Sequence, residues 1–129
     1  MPNKVMKSTL DDGGFILAPG VFDLISAKIA DKMDFPALYI TGYGTVASYL
    51  GVPDAGIATY RDMIERISQI VKMTNTPVIA DADTGYGGLL NVRETVRGYE
   101  AAGVTAMQME DQEFPKRCGH TLGRRVVPM

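Results

Sequence analysis

Short apolar runs alternate with amphipathic helical stretches along this sequence, and the alternation limits the folds that the chain can adopt. Apolar runs bounded by Pro or Gly predict four strands, at residues 14–18, 36–41, 77–81 and 104–110. Strands that alternate with helices are typical of a parallel sheet, because each helix returns the chain to the edge where the next strand begins. The sequence therefore predicts an α/β fold with four parallel strands.

Three helical stretches fill the intervals between these strands. Their predicted starts lie at Asp23, Thr59 and Asn91, and the last two resemble capping boxes. Apolar residues with helical spacing follow each start: Leu24, Ile25, Ile29 and Met33; Met63, Ile64, Ile67, Ile70 and Val71; Val92, Val96, Tyr99 and Ala102. Residues 1–13 and 111–129 lack such a pattern, so we expect a polar lead-in and an irregular tail.

The strand–helix order amounts to about half of a larger architecture. A (β/α)8 barrel has eight such units in about 250 residues, whereas this chain has 129 residues and four predicted strands. We expect one domain over residues 1–129, which is either an open α/β sheet or the first four units of a truncated (β/α)8 barrel. Residues 42–58 are rich in Gly and predict a long loop, and loops of that length are usually functional or disordered.

Composition excludes several classes of protein. The net charge is −2 and like charges form no run, so nothing favours nucleic acid or an anionic membrane as a partner. Hydrophobic residues make up 46% of the chain and charged residues 22%, as in an ordinary globular protein. No apolar stretch approaches the ~20 residues of a membrane helix, and we find no apolar signal core. Because Cys118 is the only cysteine, we expect a cytoplasmic protein without an intrachain disulfide.

The third predicted strand leads into the most informative motif, Asp81-Ala82-Asp83, which precedes a glycine-rich turn. Side chains alternate along a strand, so the two aspartates are predicted to point the same way at its carboxyl end. Two carboxylates on one face suit a hard cation such as Mg²⁺, which takes oxygen ligands and keeps several waters. The alternative is an ordinary loop in which one aspartate caps the turn and the other is solvated.

Other polar residues follow the carboxyl ends of the predicted strands, where α/β proteins place their sites. They are Asp23, Tyr39, Thr41, Gly42, Tyr43, Asp54, Glu110 and Asp111. The turn at residues 41–44 either presents backbone N–H groups to a carboxylate or phosphate or is an ordinary turn. Asp54 also has a simpler interpretation as a turn residue after Pro53, and Glu110 as the partner of a nearby Arg or Lys.

Cys118 lies in the basic segment Lys116-Arg117-Cys118-Gly119-His120. Neighbouring cations stabilise a thiolate, which favours a residue that exchanges protons with a substrate. The alternative is a free cysteine in a flexible basic loop. His120 is the only histidine, and a lone histidine is more typical of a structural hydrogen-bonding residue than of a catalyst.

Taken together, these motifs resemble the isocitrate lyase/phosphoenolpyruvate mutase superfamily. The matching stretches, in the order of the family, are Pro19-Gly20-Val21-Phe22-Asp23, Tyr39-Ile40-Thr41-Gly42-Tyr43-Gly44, Leu50-Gly51-Val52-Pro53-Asp54, Asp81-Ala82-Asp83-Thr84-Gly85-Tyr86-Gly87, Glu110-Asp111-Gln112 and Lys116-Arg117-Cys118-Gly119-His120. The cysteine of the last stretch is typical of the lyase branch, and the mutase branch lacks it. The resemblance implies a (β/α)8 barrel.

The resemblance also implies a role for each motif. Asp81, Asp83 and Glu110 are expected to provide the environment of Mg²⁺, with Mn²⁺ as a possible substitute. The expected substrate-binding residues are Thr41, Gly42, Tyr43, Asp54, Arg117, Gly119 and His120. The expected catalytic residues are Lys116 and Cys118 on a mobile loop, where Cys118 protonates a carbanion-like product, and Tyr39, which handles the proton of the substrate hydroxyl.

The implied activity is that of a Mg²⁺-dependent carbon–carbon lyase. Its expected substrate is a small 2-hydroxy di- or tricarboxylate, of the 2-methylisocitrate or 2,3-dimethylmalate type, which is cleaved through an enolate-like intermediate to pyruvate or a similar 2-oxo acid. We expect a homo-oligomer, a tetramer by the resemblance. Two alternatives stay open: a phosphonate mutase or oxaloacetate-acting member of the same superfamily, and an inactive fragment that lacks the second half of the barrel.

Overall fold

The computed structural model describes residues 4–129. The helices are α1 (Lys4–Asp11), α2 (Leu24–Ala30), α3 (Gly42–Thr45), α4 (Tyr60–Met73) and α5 (Leu89–Ala101), and a π-helical turn (Val46–Leu50) continues α3. The strands are β1 (Gly20–Val21), β2 (Leu38–Ile40), β3 (Val78–Asp81) and β4 (Ala106–Gln108).

All four strands run parallel and form one sheet in the order β1-β2-β3-β4. Tyr39 of β2 lies in register with Gly20 on one side and with Ile79 on the other. Ala80 of β3 lies in register with Met107 of β4. The sequential order confirms the predicted parallel α/β sheet and agrees with consecutive units of a (β/α)8 barrel.

One face of the sheet packs against the helices. Leu38 and Ile40 of β2 are completely buried, whereas Tyr39 between them is partly exposed. The same core contains Met63, Ile67 and Ile70 of α4, as the helical spacing predicts. Each fully buried side chain of this kind stabilises the fold by roughly 1.5–3 kcal/mol. The core therefore lies between the helices and one sheet face.

Two helix starts confirm the predicted caps. The Thr59 hydroxyl accepts the N–H of Asp62 at 3.3 Å, and the Asp62 carboxylate accepts the N–H of Thr59 at 2.8 Å, so α4 begins with a reciprocal capping box. The Asp23 carboxylate accepts the N–H of Ser26 at 2.7 Å and caps α2. These contacts span three residues, so local sequence is enough to predict them.

Of the apolar stripe predicted for α2, only Leu24 packs against the core. Ile25, Ile29 and Met33 are 73%, 60% and 59% exposed. The residues that α2 buries are Ala27 and Ala30, which pack through small side chains. The helix has only 7 residues and ends before Met33, so the prediction from apolar periodicity is wrong for Ile25, Ile29 and Met33.

The beginning of the chain also differs from the prediction. Residues 14–18 form no strand, and Phe15 and Leu17 are 82% and 55% exposed. The first strand is instead β1, which starts at Gly20 in the predicted turn and pairs with β2. The predicted polar lead-in contains the helix α1, which its polar composition did not predict.

Two further boundaries are corrected by side-chain and backbone contacts. Residues 42–58 are not one open loop, because α3 and the π-helical turn occupy their first half. α5 begins at Leu89 rather than at the predicted capping box at Asn91. The Asn91 side chain accepts the N–H of Gly88 at 3.1 Å, so it caps the helix from inside the first turn.

Residues 111–129 form the predicted irregular tail. An antiparallel bridge between Gln112 and Val126 folds the tail back on the segment after β4. The N–H of Val127 donates to the carbonyl of Asp111 at 2.9 Å and strengthens this return. Across the described part of the chain, every helix is too short or too polar to cross a membrane.

Asp31 joins the end of α2 to the turn before β3. Its Oδ1 accepts the backbone N–H groups of Thr76 at 2.8 Å and of Asn75 at 2.9 Å. The hydrogen bond from Thr76 is the main reason that the pKa of Asp31 lies below its usual value. One carboxylate therefore fixes the turn that leads into the central strand β3.

We predict that Asp31→Ala lowers the free energy of unfolding by about 1–2 kcal/mol at pH 7, because two hydrogen bonds to a partly solvated charged group are lost. The folded-state pKa of Asp31 is lowered, so its stabilisation is present above the ordinary value of 3.8 and is lost as the pH falls below it. Urea unfolding should therefore show a smaller gap between the two proteins in acid. Asp31→Asn keeps an acceptor and should lose less, and a gap that does not shrink in acid would contradict the assignment.

Candidate functional site

The sheet gathers the predicted site residues at the carboxyl ends of three neighbouring strands. Thr41 and Gly42 directly follow β2, Asp81 ends β3, and Glu110 lies just beyond β4. The N–H of Glu110 donates to the carbonyl of Asp83 at 2.7 Å, which keeps the two chain segments together beyond the strands. The site thus occupies the edge where parallel α/β sheets place their functional residues.

Asp81 is buried at this edge and held by two backbone donors. Its Oδ2 accepts the N–H of Gly42 at 3.0 Å, and its Oδ1 accepts the N–H of Asp83 at 2.9 Å. A Cβ at Gly42 would lie 2.5 Å from Asp81 Oδ2, so only glycine permits this approach. Burial raises the pKa of Asp81, and the two backbone donors and Lys116 oppose that rise. The carboxylate is therefore fixed in place before any ligand arrives.

Asp83 lies beside Asp81, but for a different reason from the predicted strand alternation. The strand ends at Asp81, and Asp83 has a φ of 46°, in the left-handed region that Asp tolerates better than most residues. The position of a Cβ on Gly42 would be 3.5 Å from Asp83 Oδ1, which shows that the two carboxylates converge on Gly42. Burial raises the pKa of Asp83 to about 6, although Lys116 opposes the rise.

Lys116 is buried between two acids. Its Nζ lies 2.5 Å from Asp83 Oδ1 and 2.7 Å from Asp54 Oδ1, and the three side chains are each no more than 6% exposed. Burial by itself lowers the pKa of Lys116, but the hydrogen bonds to Asp54 and Asp83 outweigh it and raise the pKa above its usual value. Sequence reasoning placed Lys116 and Asp54 in the site without predicting that they bind each other.

Three buried carboxylates lie around this one buried ammonium. Asp54, Asp81 and Asp83 contribute −3 and Lys116 contributes +1, which leaves a net charge of −2 when all four are ionised. An unbalanced buried charge is costly, and a divalent cation would neutralise this one. Asp81 and Asp83 supply carboxylate oxygens, and one or two carboxylates with waters are the usual protein ligands of Mg²⁺. The residues present therefore fit a magnesium ion.

The Glu110 carboxylate does not join Asp81 and Asp83 in a three-ligand metal cluster. Within residues 4–129, no three Asp, Glu, His or Cys side chains approach closely enough to hold one metal ion. The Glu110 carboxylate instead accepts a hydrogen bond from the Gln112 amide. Its charge still reaches the site, because after burial it adds to the raised pKa of Asp81. The structure thus places the predicted third acid beside the two aspartates, without a three-ligand cluster.

The turn at residues 41–44 is partly occupied by contacts within the protein. The Thr41 hydroxyl accepts the N–H of Gly44 at 3.0 Å and caps α3. The N–H of Gly42 is taken by Asp81, and the Tyr43 side chain is 59% exposed. The N–H groups of Thr41, Gly42 and Gly44 are therefore all committed within the protein, and the substrate-binding role of the turn stays a prediction.

Tyr39 faces the site from β2. Its hydroxyl donates to Gln108 Oε1 at 2.9 Å. Burial, followed by the negative charges of Asp81 and Glu110, raises the pKa of Tyr39 far above its usual value. A phenol in this setting holds its proton near neutral pH and can donate a hydrogen bond, and the role of Tyr39 in handling the proton of the substrate hydroxyl stays a prediction.

Cys118 contacts one of its basic neighbours. Its Sγ lies 3.4 Å from His120 Nδ1, whereas Lys116 turns away to the buried acids. The N–H of Cys118 donates to the carbonyl of Asp54 at 3.2 Å, which holds the cysteine segment on the loop after the π-helical turn. Of the three basic neighbours predicted to act on Cys118, which are Lys116, Arg117 and His120, only His120 makes a side-chain contact with it in the described part of the chain.

The remaining residues of this segment lie on the surface. Arg117 is exposed, and its Nη1 donates to the carbonyl of Leu122 at 3.0 Å. Gly119 and His120 are also exposed. None of the three contacts Asp81 or Asp83 through a hydrogen bond or ion pair in the part of the chain that the structure describes, and their substrate-binding roles stay predictions.

Behind the two aspartates lies a set of buried hydroxyls that sequence reasoning missed. The Tyr99 hydroxyl donates to the carbonyl of Asp81 at 3.1 Å and lies 2.9 Å from the Tyr86 hydroxyl. The Thr95 hydroxyl donates to the carbonyl of Gly85 at 3.1 Å. Tyr99 was predicted only as part of an apolar helix face, and nothing in the local sequence indicates which carbonyl its hydroxyl meets.

Comparison with known proteins identifies the family. A family model described as phosphoenolpyruvate phosphomutase matches residues 6–126. The chain belongs to this family. Among its relatives, a 2,3-dimethylmalate lyase from Eubacterium barkeri is 48% identical over 122 residues, which are 95% of this chain and 42% of that protein. A 2-methylisocitrate lyase from Aeropyrum pernix is 40% identical over 126 residues, which are 98% of this chain and 41% of that protein.

Solved structures agree with this assignment. A 2,3-dimethylmalate lyase, described as a member of the PEP mutase/isocitrate lyase superfamily, has a TM-score of 0.88 and 46% identity over 96% of this chain and 42% of that one. A phosphonopyruvate hydrolase in complex with oxalate and Mg²⁺ has a TM-score of 0.82 and 38% identity over 90% of this chain and 41% of that one. The predicted superfamily is confirmed, and the chain spans about two fifths of the length of these relatives.

We predict that Gly42→Ala displaces Asp81, because the new Cβ would lie 2.5 Å from Asp81 Oδ2. The free energy of unfolding should fall by about 1–3 kcal/mol, as for other overpacked sites, and urea denaturation measures it. Gly88→Ala is the control, since a Cβ there meets open space and should cost much less. Equal stability of the two variants would show that the Asp81 carboxylate is free to move.

Proposed function

We propose that this chain carries the magnesium-binding part of a carbon–carbon lyase that acts on small 2-hydroxy di- or tricarboxylates. The observation that carries the proposal is a buried group at the carboxyl ends of the parallel strands. It consists of Asp54, Asp81, Asp83 and Lys116 and has a net charge of −2 when all four are ionised. Relatives named 2,3-dimethylmalate lyase and 2-methylisocitrate lyase support the substrate class. A similar structure described with oxalate and Mg²⁺ supports the ion.

The two aspartates have the chemistry and the rigidity that such a site needs. Asp81 and Asp83 would hold Mg²⁺, which when bound acts as a Lewis acid and stabilises negative charge on substrate oxygens. Gly42 fixes Asp81 through its N–H, and the left-handed backbone of Asp83 turns that carboxylate to the same side. Preorganised charges of this kind stabilise a transition state at no further cost of reorganisation.

Cys118 is the proposed acid. Cleavage of the bond between the carbinol carbon and its neighbour leaves the bonding electrons on the departing carboxylate fragment as an enolate-like carbanion. The Cys118 thiol gives its proton to that carbon, and His120, with Nδ1 at 3.4 Å, is placed to restore it. The substrate hydroxyl loses its proton as the bond breaks, and its oxygen becomes the carbonyl of the 2-oxo acid. Tyr39 relays that proton to solvent, accepting it while releasing its own, and the proton that Cys118 gives to carbon completes the balance.

Lys116 is proposed to hold the acid over the site. By binding both Asp54 and Asp83, it ties its own segment to the metal-binding turn, two residues from Cys118. The N–H of Cys118 adds a second tie to the carbonyl of Asp54. A closed segment of this kind excludes water from a carbanion that water would otherwise protonate.

A second candidate is an enzyme that acts on oxaloacetate. A solved oxaloacetate acetylhydrolase has a TM-score of 0.84 and 46% identity over 88% of this chain and 39% of that one, so likeness alone does not separate the two. Cys118, in contact with His120, favours the lyase, because lyase chemistry needs an acid for the carbanion. A candidate of another class is an inactive part of a longer enzyme, since the chain spans about two fifths of its relatives.

We also propose that the protein is a homo-oligomer. Ile25 and Ile29 of α2 are 73% and 60% exposed, and Leu89 and Leu90 of α5 are 90% and 69% exposed. Apolar side chains of this size are typical of association surfaces when they lie together on one face.

Pyruvate release tests the proposed function. The chain is assayed on 2,3-dimethylmalate, on 2-methylisocitrate and, in parallel, for hydrolysis of oxaloacetate, with saturating Mg²⁺ or with EDTA. We expect Mg²⁺-dependent pyruvate from one of the first two substrates and none from Asp81→Asn. Cys118→Ser should bind metal normally and lose about 10²- to 10⁴-fold in kcat, whereas the surface control Glu65→Gln should match the unchanged protein.

The possible results separate the candidates. Activity that survives EDTA or Asp81→Asn refutes the metal assignment, and turnover of oxaloacetate alone supports the second candidate. A chain that binds Mn²⁺ through Asp81 but turns over no substrate supports the inactive part of a longer enzyme.

A further inference from the structure

We propose that Tyr99 and Thr95 of α5 are positioning residues that hold the metal-binding turn from behind and set the relative placement of Asp81 and Asp83. The inference rests on the proposed function, in which these two aspartates hold the ion. According to this inference, α5 influences the site through the backbone of the turn, without contacting metal or substrate.

The two hydroxyls hold the turn at both ends. Tyr99 donates to the carbonyl of Asp81, where the strand ends, and Thr95 donates to the carbonyl of Gly85, where the turn closes, each at 3.1 Å. Residues four apart lie on the same side of a helix, so both hydroxyls face the turn together. Tyr99 is 0% exposed and Thr95 is 1% exposed, so water does not compete for either bond.

A third hydroxyl, that of Tyr86, orients the hydroxyl of Tyr99. The Tyr86 hydroxyl lies 2.9 Å from that of Tyr99. Because Tyr99 uses its proton to bind the carbonyl of Asp81, Tyr86 must donate to Tyr99. Tyr86 itself has a φ of 60° and directly follows the turn.

The turn needs such support because its backbone is irregular. Asp83 and Gly85 have φ values of 46° and 86°, so the segment between them leaves the regular geometry of the strand. The turn is also pressed against α5, since a Cβ at Gly85 would lie 2.6 Å from Val92 Cγ2. A shift of α5 therefore moves Asp83 relative to Asp81. Groups that orient metal ligands in this way typically change metal affinity by about 10- to 100-fold when they are removed.

The test is binding of Mn²⁺ alone to the full chain, followed by electron paramagnetic resonance, together with hydrogen exchange of the turn amides in the metal-free protein. Tyr99→Phe removes one oxygen and leaves the ring in the core. We expect its dissociation constant for Mn²⁺ to rise by about 10-fold or more, and the N–H of Gly85, which bonds the carbonyl of Ala82, to exchange faster. Circular dichroism confirms that the variant is folded.

Matched variants separate positioning from simple loss of stability. Tyr60→Phe deletes a hydroxyl from the same aromatic cluster, since the rings of Tyr60 and Tyr99 are 6.5 Å apart. The Tyr60 hydroxyl lies against Gly98 rather than the turn, so Mn²⁺ affinity should not change. Thr95→Val should weaken Mn²⁺ binding as Tyr99→Phe does, and Thr95→Ser, which keeps the hydroxyl, should restore it.

The possible results distinguish failure of the positioning role from failure of the proposed function. Mn²⁺ affinity in Tyr99→Phe and Thr95→Val equal to that of the unchanged protein overturns the positioning role, and so does an equal loss in Tyr60→Phe. If the unchanged protein does not bind Mn²⁺, or binds it equally well after Asp83→Asn, the proposed function fails instead. Hydrogen exchange then still decides the inference, because unchanged exchange of the turn in Tyr99→Phe overturns it.

Discussion

The structure of the site depends on one buried ammonium group. Lys116 binds Asp83, in the turn after the third strand, and Asp54, in the loop after the second, so a single side chain joins three distant segments. Removing one partner of such a buried pair typically costs about 3–5 kcal/mol, because an uncompensated charge is left behind. Lys116 does not balance the buried negative charge, because Asp81 adds a third carboxylate to those of Asp54 and Asp83. The same contact thus fixes the loop that carries Cys118 and leaves the buried group with a net negative charge, which suits the proposed divalent cation.

The rest of the site is arranged so that this charge stays in place. Gly42 approaches Asp81 more closely than any residue with a Cβ could, and its N–H binds the carboxylate directly. On the opposite side, the buried hydroxyls of Tyr99 and Thr95 hold the carbonyls of the turn. The contacts from Gly42 and Lys116 use carboxylate oxygens, whereas those from Tyr99 and Thr95 go to backbone carbonyls and leave the carboxylates untouched. Such support lets the site keep its geometry while its oxygens remain available to an ion.

Local patterns predicted the parallel sheet, the caps at Asp23 and Thr59, and the placement of Asp81 and Asp83 close together beyond the third strand. These features depend on a few neighbouring residues or on the alternation of strands and helices. Patterns failed where tertiary contacts decide the outcome. The left-handed backbone of Asp83 is set by the turn, the partners of Lys116 are more than thirty residues away in sequence, and the face that α2 buries follows from packing through Ala27 and Ala30. The apolar spacing of Ile25 and Ile29 could not reveal that choice.

The most direct measurement is a crystal structure of the protein grown with Mn²⁺, with an anomalous difference map calculated at the manganese absorption edge. If Asp81 and Asp83 hold the ion, the strongest peak will lie about 2.0–2.3 Å from an oxygen of each carboxylate, or of one carboxylate with water joining the other. Lys116 should remain on Asp54. A strong peak elsewhere, or none at this position with saturating metal, would contradict the account.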